Sequence, residues 1–192
     1  SRYISVAGKE SSYYNRVTDI QTDVIPLYFT MNTWAGIYRR AYLERNNILH
    51  NTTPGASYQD SGFWFQTFIF AQRVFFINRP FYWYRQDNPN SSINNPDKVY
   101  CVCDEYEYIY GILEKNPELK RIFIDIFVYR RYYSYKFALS KMGKQYKYEF
   151  LKRFAKDFQF HKQRGELKST FFSVDEYDEL KCIIADPAKY YI

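Results

Sequence analysis

The half of the chain that follows Pro96 carries an almost continuous helical pattern, which limits the fold more than any other feature. Apolar residues recur at helical intervals over residues 99–113, so they line one face of a helix. Asn116 followed by Pro117 is typical of an N-cap and a first helical position. A second helix is therefore predicted from Pro117 towards Met142.

Two more helices are predicted before the chain ends. One covers residues 145–163 and stops at Gly165, because glycine readily ends a helix. The other begins at Ser173, since Ser173 and Glu176 have the spacing of a capping box, and it ends before Pro187. Residues 97–192 are therefore expected to form a mainly helical C-terminal region.

The first half predicts shorter elements of both kinds. Helical spacing extends over residues 34–47 and 57–72, whereas aromatic and β-branched runs favour strands. The predicted strands are residues 2–8, 74–77 and 81–84, with polar loops at 10–22 and 86–96. The predicted fold class is α+β, with a small piece of mixed sheet in region 1–96 and helices in region 97–192. A chain of 192 residues can bury a real core.

Charge is unevenly distributed along the chain, although the net charge is only +6. Residues 130–168 contain 12 Lys or Arg and 3 Asp or Glu, a local net charge of +9, which leaves −3 for the remainder. This asymmetry predicts an anionic partner, and the interleaved Tyr and Phe favour a peripheral membrane surface over nucleic acid. The alternative is that these cations form the solvated faces of helices around a core.

The cysteines and histidines form no metal-binding pattern. Cys101 and Cys103 are two residues apart in a predicted helix, so their side chains point roughly 200° apart and would not share a metal. Cys182, His50 and His161 are isolated, and both histidines are expected to be surface or satisfied side chains. With no disulfide framework and no signal peptide, the expected location is cytoplasmic, or peripheral at the inner membrane face.

Asp60 is the leading candidate for a catalytic residue. It stands near the start of the predicted helix over 57–72, where the helix dipole stabilises its charged form. Inverting transfer of a sugar to an alcohol needs a base for the acceptor proton, and a carboxylate can serve. The alternative role is structural, because Ser57 and Asp60 also have capping-box spacing.

A second candidate group lies in the polar loop that follows the predicted strands. Arg85, Ser91 and Ser92 would present a guanidinium and two hydroxyls. Such groups suit a diphosphate leaving group, which gains charge in the transition state. The alternative is a solvated turn with a surface arginine.

Four segments resemble, in order, the acceptor-side half of the inverting glycosyltransferases of family two, which have the GT-A fold. They are WAGIYRR (34–40), YQD (58–60) before an apolar helix, FYWYR (81–85) and SSI (91–93). The family typically has Trp-Asn-Lys-Leu-Tyr, an aromatic before Glu-Asp, a strand ending in Tyr-Arg, and Ser-Ile. Ala35 and Gln59 depart from this pattern, and the resemblance covers about residues 30–110.

The resemblance implies a role for each candidate residue. The site would comprise the base Asp60, the acceptor-binding Trp34 and Tyr58, and the diphosphate-binding Arg85, Ser91 and Ser92. In the family, an N-terminal half carries an Asp-x-Asp motif that binds a divalent metal (Mg or Mn) and the nucleotide sugar. That motif does not occur here, so the chain is expected to be a C-terminal fragment, inactive alone. The intact enzyme would use a nucleotide sugar and a glycan or lipid-linked acceptor.

A function of another class is equally consistent with the composition. Aromatic residues make up 22 % of the chain, and Tyr and Trp suit cores, interfaces and sugar-stacking surfaces. The chain would then be a non-catalytic module that binds a glycan, a membrane or a partner protein. An upstream α/β segment with Asp-x-Asp favours the enzyme, whereas a native start near Ser1 favours the module.

Overall fold

The computed structural model describes residues 12–53, 57–79, 81–83, 85 and 98–191. Within these residues the chain is mostly helical with one small antiparallel sheet, which is compatible with the predicted α+β class. The strands are β1 (Val17–Thr18) and β2 (Val74–Phe75), and 3-10 turns cover Ile25–Tyr28 and Thr33–Ala35. The α-helices are α1 (Arg40–Arg45), α2 (Gln59–Ile69), α3 (Cys101–Glu114), α4 (Pro117–Lys141), α5 (Lys144–Gln163), α6 (Val174–Ala185) and α7 (Pro187–Tyr191).

The helices of the second half begin and end where local signals in the sequence predict. Asn116 is the N-cap of α4 and Pro117 its first residue. Gly165 follows α5 with φ of +69°, the left-handed conformation that glycine adopts without strain. Ser173 accepts a hydrogen bond from the Glu176 N–H, and the Glu176 side chain completes the capping box of α6. These four features confirm the predicted boundaries.

A single hydrophobic core joins the two halves of the chain. Helix α2 packs on α3, α3 packs on α4, and α5 packs against α4, α6 and α7. The core cluster includes Ile20, Leu27 and Trp64 from the first half together with the buried faces of α3 to α6. Its largest fully buried side chains are mostly aromatic, among them Tyr135, Phe65, Phe123, Phe127, Phe150, Phe154 and Phe158. Much of the high aromatic content therefore serves the core.

The short sheet brings together segments that are far apart in the sequence. Strand β1 lies inside the segment 10–22, which was predicted to be a loop, so that prediction is wrong at this point. Val17 pairs with Phe75 and Thr18 with Val74 in antiparallel register. Since a polar segment gains its strand conformation from a distant partner, local composition does not reveal it.

Two predicted elements of the first half are shorter or absent. Residues 81–83 form no strand. The predicted helix over 34–47 is reduced to a 3-10 turn and α1, because Gly36 is extended between them, and Ile37 is fully exposed instead of lying on an apolar face. The predicted strand over 2–8, the predicted loop over 86–96 and the predicted boundary at residue 96 lie outside the described residues.

Candidate functional site

Asp60 is the second residue of α2 and is half-buried, as the sequence predicted for a residue near a helix start. The Ser57 capping box, which was the basis of the alternative structural role, is not formed. The N-cap is Tyr58, whose φ of 66° is left-handed and whose side chain makes no capping bond. The Ser57 N–H instead donates to Gln59 Oε1 at 2.6 Å. The carboxylate of Asp60 is therefore not required to close a Ser57 capping box.

The surroundings of Asp60 favour a stronger base than an exposed aspartate. Burial raises the pKa of Asp60, and this is opposed by backbone hydrogen bonds from Ser61 and Asp60 itself and by the charge of His50. The His50 ring stacks on Phe63 with centroids 4.4 Å apart, and its Nδ1 lies 3.2 Å from the carbonyl oxygen of Gln59. The loop before α2 is thereby held against the first turn of the helix.

Glu105 is a second buried carboxylate at this site, and it was missed at the sequence level. Only 1 % of the Glu105 surface is exposed to solvent. Oε1 accepts a hydrogen bond from the Gly62 N–H at 2.9 Å, and Oε2 accepts one from Asn51 Nδ2 at 3.0 Å. Burial raises the pKa of Glu105 to about 7, and the like charge of Asp60 adds to the rise. The sequence could have indicated this buried carboxylate, because Glu105 falls within the apolar stripe of the helix predicted over 99–113.

The two predicted acceptor-binding aromatics lie in different surroundings. Tyr58 directly precedes the first turn of α2, and burial, with the charges of Cys101 and Asp60, raises its pKa to about 12. Trp34 lies in a 3-10 turn, where its ring centroid is 6.3 Å from that of Tyr82. The structure therefore brings Tyr58 to Asp60 and places Trp34 beside the exposed aromatic segment 81–83.

The predicted diphosphate-binding group is only partly covered by the described residues. Arg85 is exposed to solvent. Ser91 and Ser92 lie outside the described residues. The arrangement of these three side chains around a diphosphate stays a prediction.

In the folded chain, ion pairs offset part of the positive charge of the segment 130–168. Half of its 12 basic residues form ion pairs, several of them with acids from outside the segment: Arg131, Lys136, Lys152, Arg153, Arg164 and Lys168. Lys136 pairs with Glu179 of α6, and Lys168 pairs with Asp125 of α4. The cations around the α4–α5 turn include Lys141, Lys144 and Lys147.

The described part of the chain contains no group of three His, Cys, Asp or Glu side chains that could hold a metal ion. No helix among them is both long enough and apolar enough to span a bilayer. Comparisons with protein-family models, with curated proteins and with solved structures found no match.

Proposed function

We propose that this chain forms the acceptor side of an inverting glycosyltransferase, with Asp60 as its general base. The intact enzyme would move a sugar from a nucleotide-sugar donor to a glycan or lipid-linked acceptor. The observation that carries the proposal is the first turn of α2, where Asp60 is half-buried and burial raises its pKa. A carboxylate whose pKa is raised is a stronger proton acceptor than an exposed one.

In the proposed reaction, the Asp60 carboxylate is the only proton acceptor that is needed. An acceptor hydroxyl oxygen attacks the anomeric carbon, and the bond between that carbon and the diphosphate oxygen breaks. The hydroxyl proton passes to the Asp60 carboxylate, while the electron pair of the broken bond leaves with the nucleoside diphosphate. Attack on the face opposite the leaving group inverts the anomeric configuration. Tyr58, beside Asp60, would pack against the acceptor sugar.

A cavity on the same helices, whose lining includes neither Asp60 nor Glu105, has a chemistry suited to a hydroxyl-rich ligand. Its volume is about 230 Å³, and it lies between the end of α1, α2 and α3. Carboxamides and aromatic rings line it, among them Asn46, Asn47, Gln66, Asn116, Phe70 and Tyr108. Amide groups and ring faces are the chemistry that recognises sugar hydroxyls and sugar faces.

The alternative function, a non-catalytic glycan-binding module, is favoured by a different observation. Four aromatic side chains are exposed near one another in the sequence or in space, namely Trp34, Phe81, Tyr82 and Trp83. Exposed aromatic groups of this kind mark binding surfaces more often than scattered single residues do. Glycan binding by the chain that is unaffected by loss of the Asp60 carboxylate would favour this function.

The test of the proposed function is transfer by the full-length protein that contains this chain. Candidate nucleotide sugars would be supplied with glycan and lipid-linked acceptors, and release of nucleoside diphosphate would be measured. We expect acceptor-dependent release and a product of inverted anomeric configuration. Release that does not depend on any acceptor, or a product of retained configuration, contradicts the assignment.

The chain by itself should bind nucleoside diphosphates weakly. The expectation follows from the missing Asp-x-Asp motif, which in the family binds the metal and the nucleotide sugar. Calorimetry with UDP and GDP in the presence of Mg or Mn measures this directly. Low-micromolar affinity would show that the nucleotide site lies within these 192 residues.

The lysines around the α4–α5 turn should give weak, salt-dependent binding to anionic lipid vesicles. Each lysine near such a surface contributes ~1 kcal/mol, so replacing Lys141, Lys144 and Lys147 by Gln should remove most binding. A matched control replaces the ion-paired Lys152, Lys168 and Lys181 by Gln, which changes the net charge equally.

Vesicle sedimentation at low and high salt would measure both variants. We expect the control to bind nearly as well as the unchanged chain, because its lysines are already opposed by carboxylates. Equal losses in the two variants, or binding that does not respond to salt, would rule out a defined membrane surface at this turn.

A further inference from the structure

The first turn of α2 is held by a side chain from another helix. The Tyr58 side chain makes no capping bond, and the Ser61 N–H donates to the Tyr58 carbonyl oxygen at 2.8 Å. The next N–H, that of Gly62, donates to Glu105 Oε1 at 2.9 Å. A carboxylate on α3 thus satisfies a backbone donor that a helix start leaves without an intrahelical partner.

The same carboxylate also fixes the loop that precedes α2. Glu105 Oε2 accepts a hydrogen bond from Asn51 Nδ2 at 3.0 Å. Asn51 follows His50, whose ring contacts the Gln59 carbonyl oxygen and stacks on Phe63. Both oxygens of Glu105 are therefore used, and they connect the loop, α2 and α3 around the Asp60 carboxylate.

Gly62 is the residue that allows Glu105 to come this close. A Cβ at position 62 would overlap Glu105 Oε1 and would lie 3.4 Å from a ring carbon of Tyr108. Any side chain at this position would have to displace the carboxylate or shift α2 away from α3. The approach of the two helices and the bond to Gly62 are thus parts of one arrangement.

We propose that Glu105 is the positioning residue of Asp60: from α3 it fixes the helical turn that carries the Asp60 carboxylate. This inference rests on the proposed function for the role of Asp60, but the arrangement itself can be tested without any transfer reaction. Glu105 does not touch the acceptor in this proposal. It acts through the Gly62 N–H and through Asn51.

The ionisable groups around Glu105 allow the arrangement to be tested by titration. Asp60 faces Glu105 from α2. Tyr106 and Tyr108 lie on the same helix as Glu105, and the charge of Glu105 raises their pKa values. Burial raises the pKa of both carboxyl groups, and the negative charge of Asp60 raises the pKa of Glu105 further. Removing the Asp60 charge should therefore lower the pKa of Glu105.

The first measurement is amide hydrogen exchange at Gly62 in the whole chain. In Glu105→Ala the Gly62 N–H loses its acceptor, and its exchange should accelerate roughly tenfold or more. In Glu105→Gln a carboxamide oxygen replaces the carboxylate oxygen, so protection should largely return. Asp104→Asn, which alters an exposed carboxylate on the same helix, should leave Gly62 exchange unchanged.

The second measurement is the pH titration of the Glu105 carboxyl carbon by nuclear magnetic resonance. Asp60→Asn should lower the pKa of Glu105, and Asp104→Asn should not. The proposal is overturned if Glu105→Ala leaves the exchange rate of the Gly62 amide unchanged, or if Asp60→Asn leaves the pKa of Glu105 unchanged. Neither readout depends on sugar transfer, so an inactive full-length protein would contradict the proposed function while leaving this arrangement intact.

Discussion

Replacing Arg131 by Met should destabilise the chain by ~3–5 kcal/mol, a large part of the stability of an ordinary domain. Arg131 is 3 % exposed on α4, and its Nη2 lies 2.6 Å from Asp157 Oδ2 on α5. The Tyr135 hydroxyl donates to the same Asp157 oxygen at 2.7 Å. Methionine keeps the apolar stem of the side chain but removes the buried cation beside Asp157 Oδ2. The buried carboxylate then keeps only one cationic partner, Arg153, whose Nε lies 2.8 Å from Oδ1.

His161 extends this network and fixes its protonation. Its Nε2 lies 3.0 Å from Arg131 Nη1, which can only donate, and its Nδ1 lies 2.7 Å from Glu166 Oε2. The imidazole is therefore neutral with its proton on Nδ1, and burial lowers its pKa accordingly. Burial opposes the ionisation of Glu166, but hydrogen bonds from His161, Lys120 and Arg164 lower its pKa to about 2. The sequence expectation of a satisfied histidine is confirmed at His161.

The measurement is urea unfolding followed by circular dichroism, with two comparison variants. Arg121→Met removes an exposed arginine of α4, paired with Glu118 only at the surface, and should cost less than about 1 kcal/mol. The double variant Arg131→Met with Asp157→Leu removes both charges and should recover much of the loss. If Arg131→Met unfolds at the same urea concentration as Arg121→Met, the buried network does not stabilise the fold as argued.

The helical half was predictable because its boundaries are set by local chemistry. A proline at the first position, a terminal glycine and a capping box each act within a few residues of the chain. The sheet was not predictable for the opposite reason. Val17 becomes part of a strand only because Phe75, far along the chain, pairs with it. No feature of the segment around Val17 carries that information.

The same distinction between local and long-range features applies to the candidate site. The position of Asp60 near the start of an apolar helix could be predicted, since that position is a local property. Glu105 required the packing of α3 on α2, although a carboxylate within an apolar stripe could have indicated it. The sequence alone could not show which cations of the segment 130–168 are paired, because partners such as Glu179 and Asp125 lie outside that segment.

Asp60→Asn should abolish sugar transfer in the intact enzyme without lowering its stability. Loss of a general base typically reduces the rate by ~10²–10⁴. The pKa of Asp60 is raised by burial, so the charged form is less favourable in the folded chain than in the unfolded chain. That penalty is absent below the unfolded pKa and is fully present once pH exceeds the folded pKa. At neutral pH a neutral asparagine avoids it and still offers an oxygen to the backbone N–H groups of the first turn.

The combination of an inactive and fully stable variant is what separates a catalytic role from a structural one. A structural aspartate would lose stability together with activity, whereas a catalytic one loses activity alone. Asp104→Asn is the matched control, because Asp104 is an exposed carboxylate in the first turn of α3. It should transfer sugar at nearly the unchanged rate and unfold at the same temperature. Turnover by Asp60→Asn within a few-fold of the unchanged enzyme, or a clear drop in its unfolding temperature, would remove Asp60 from the role of base.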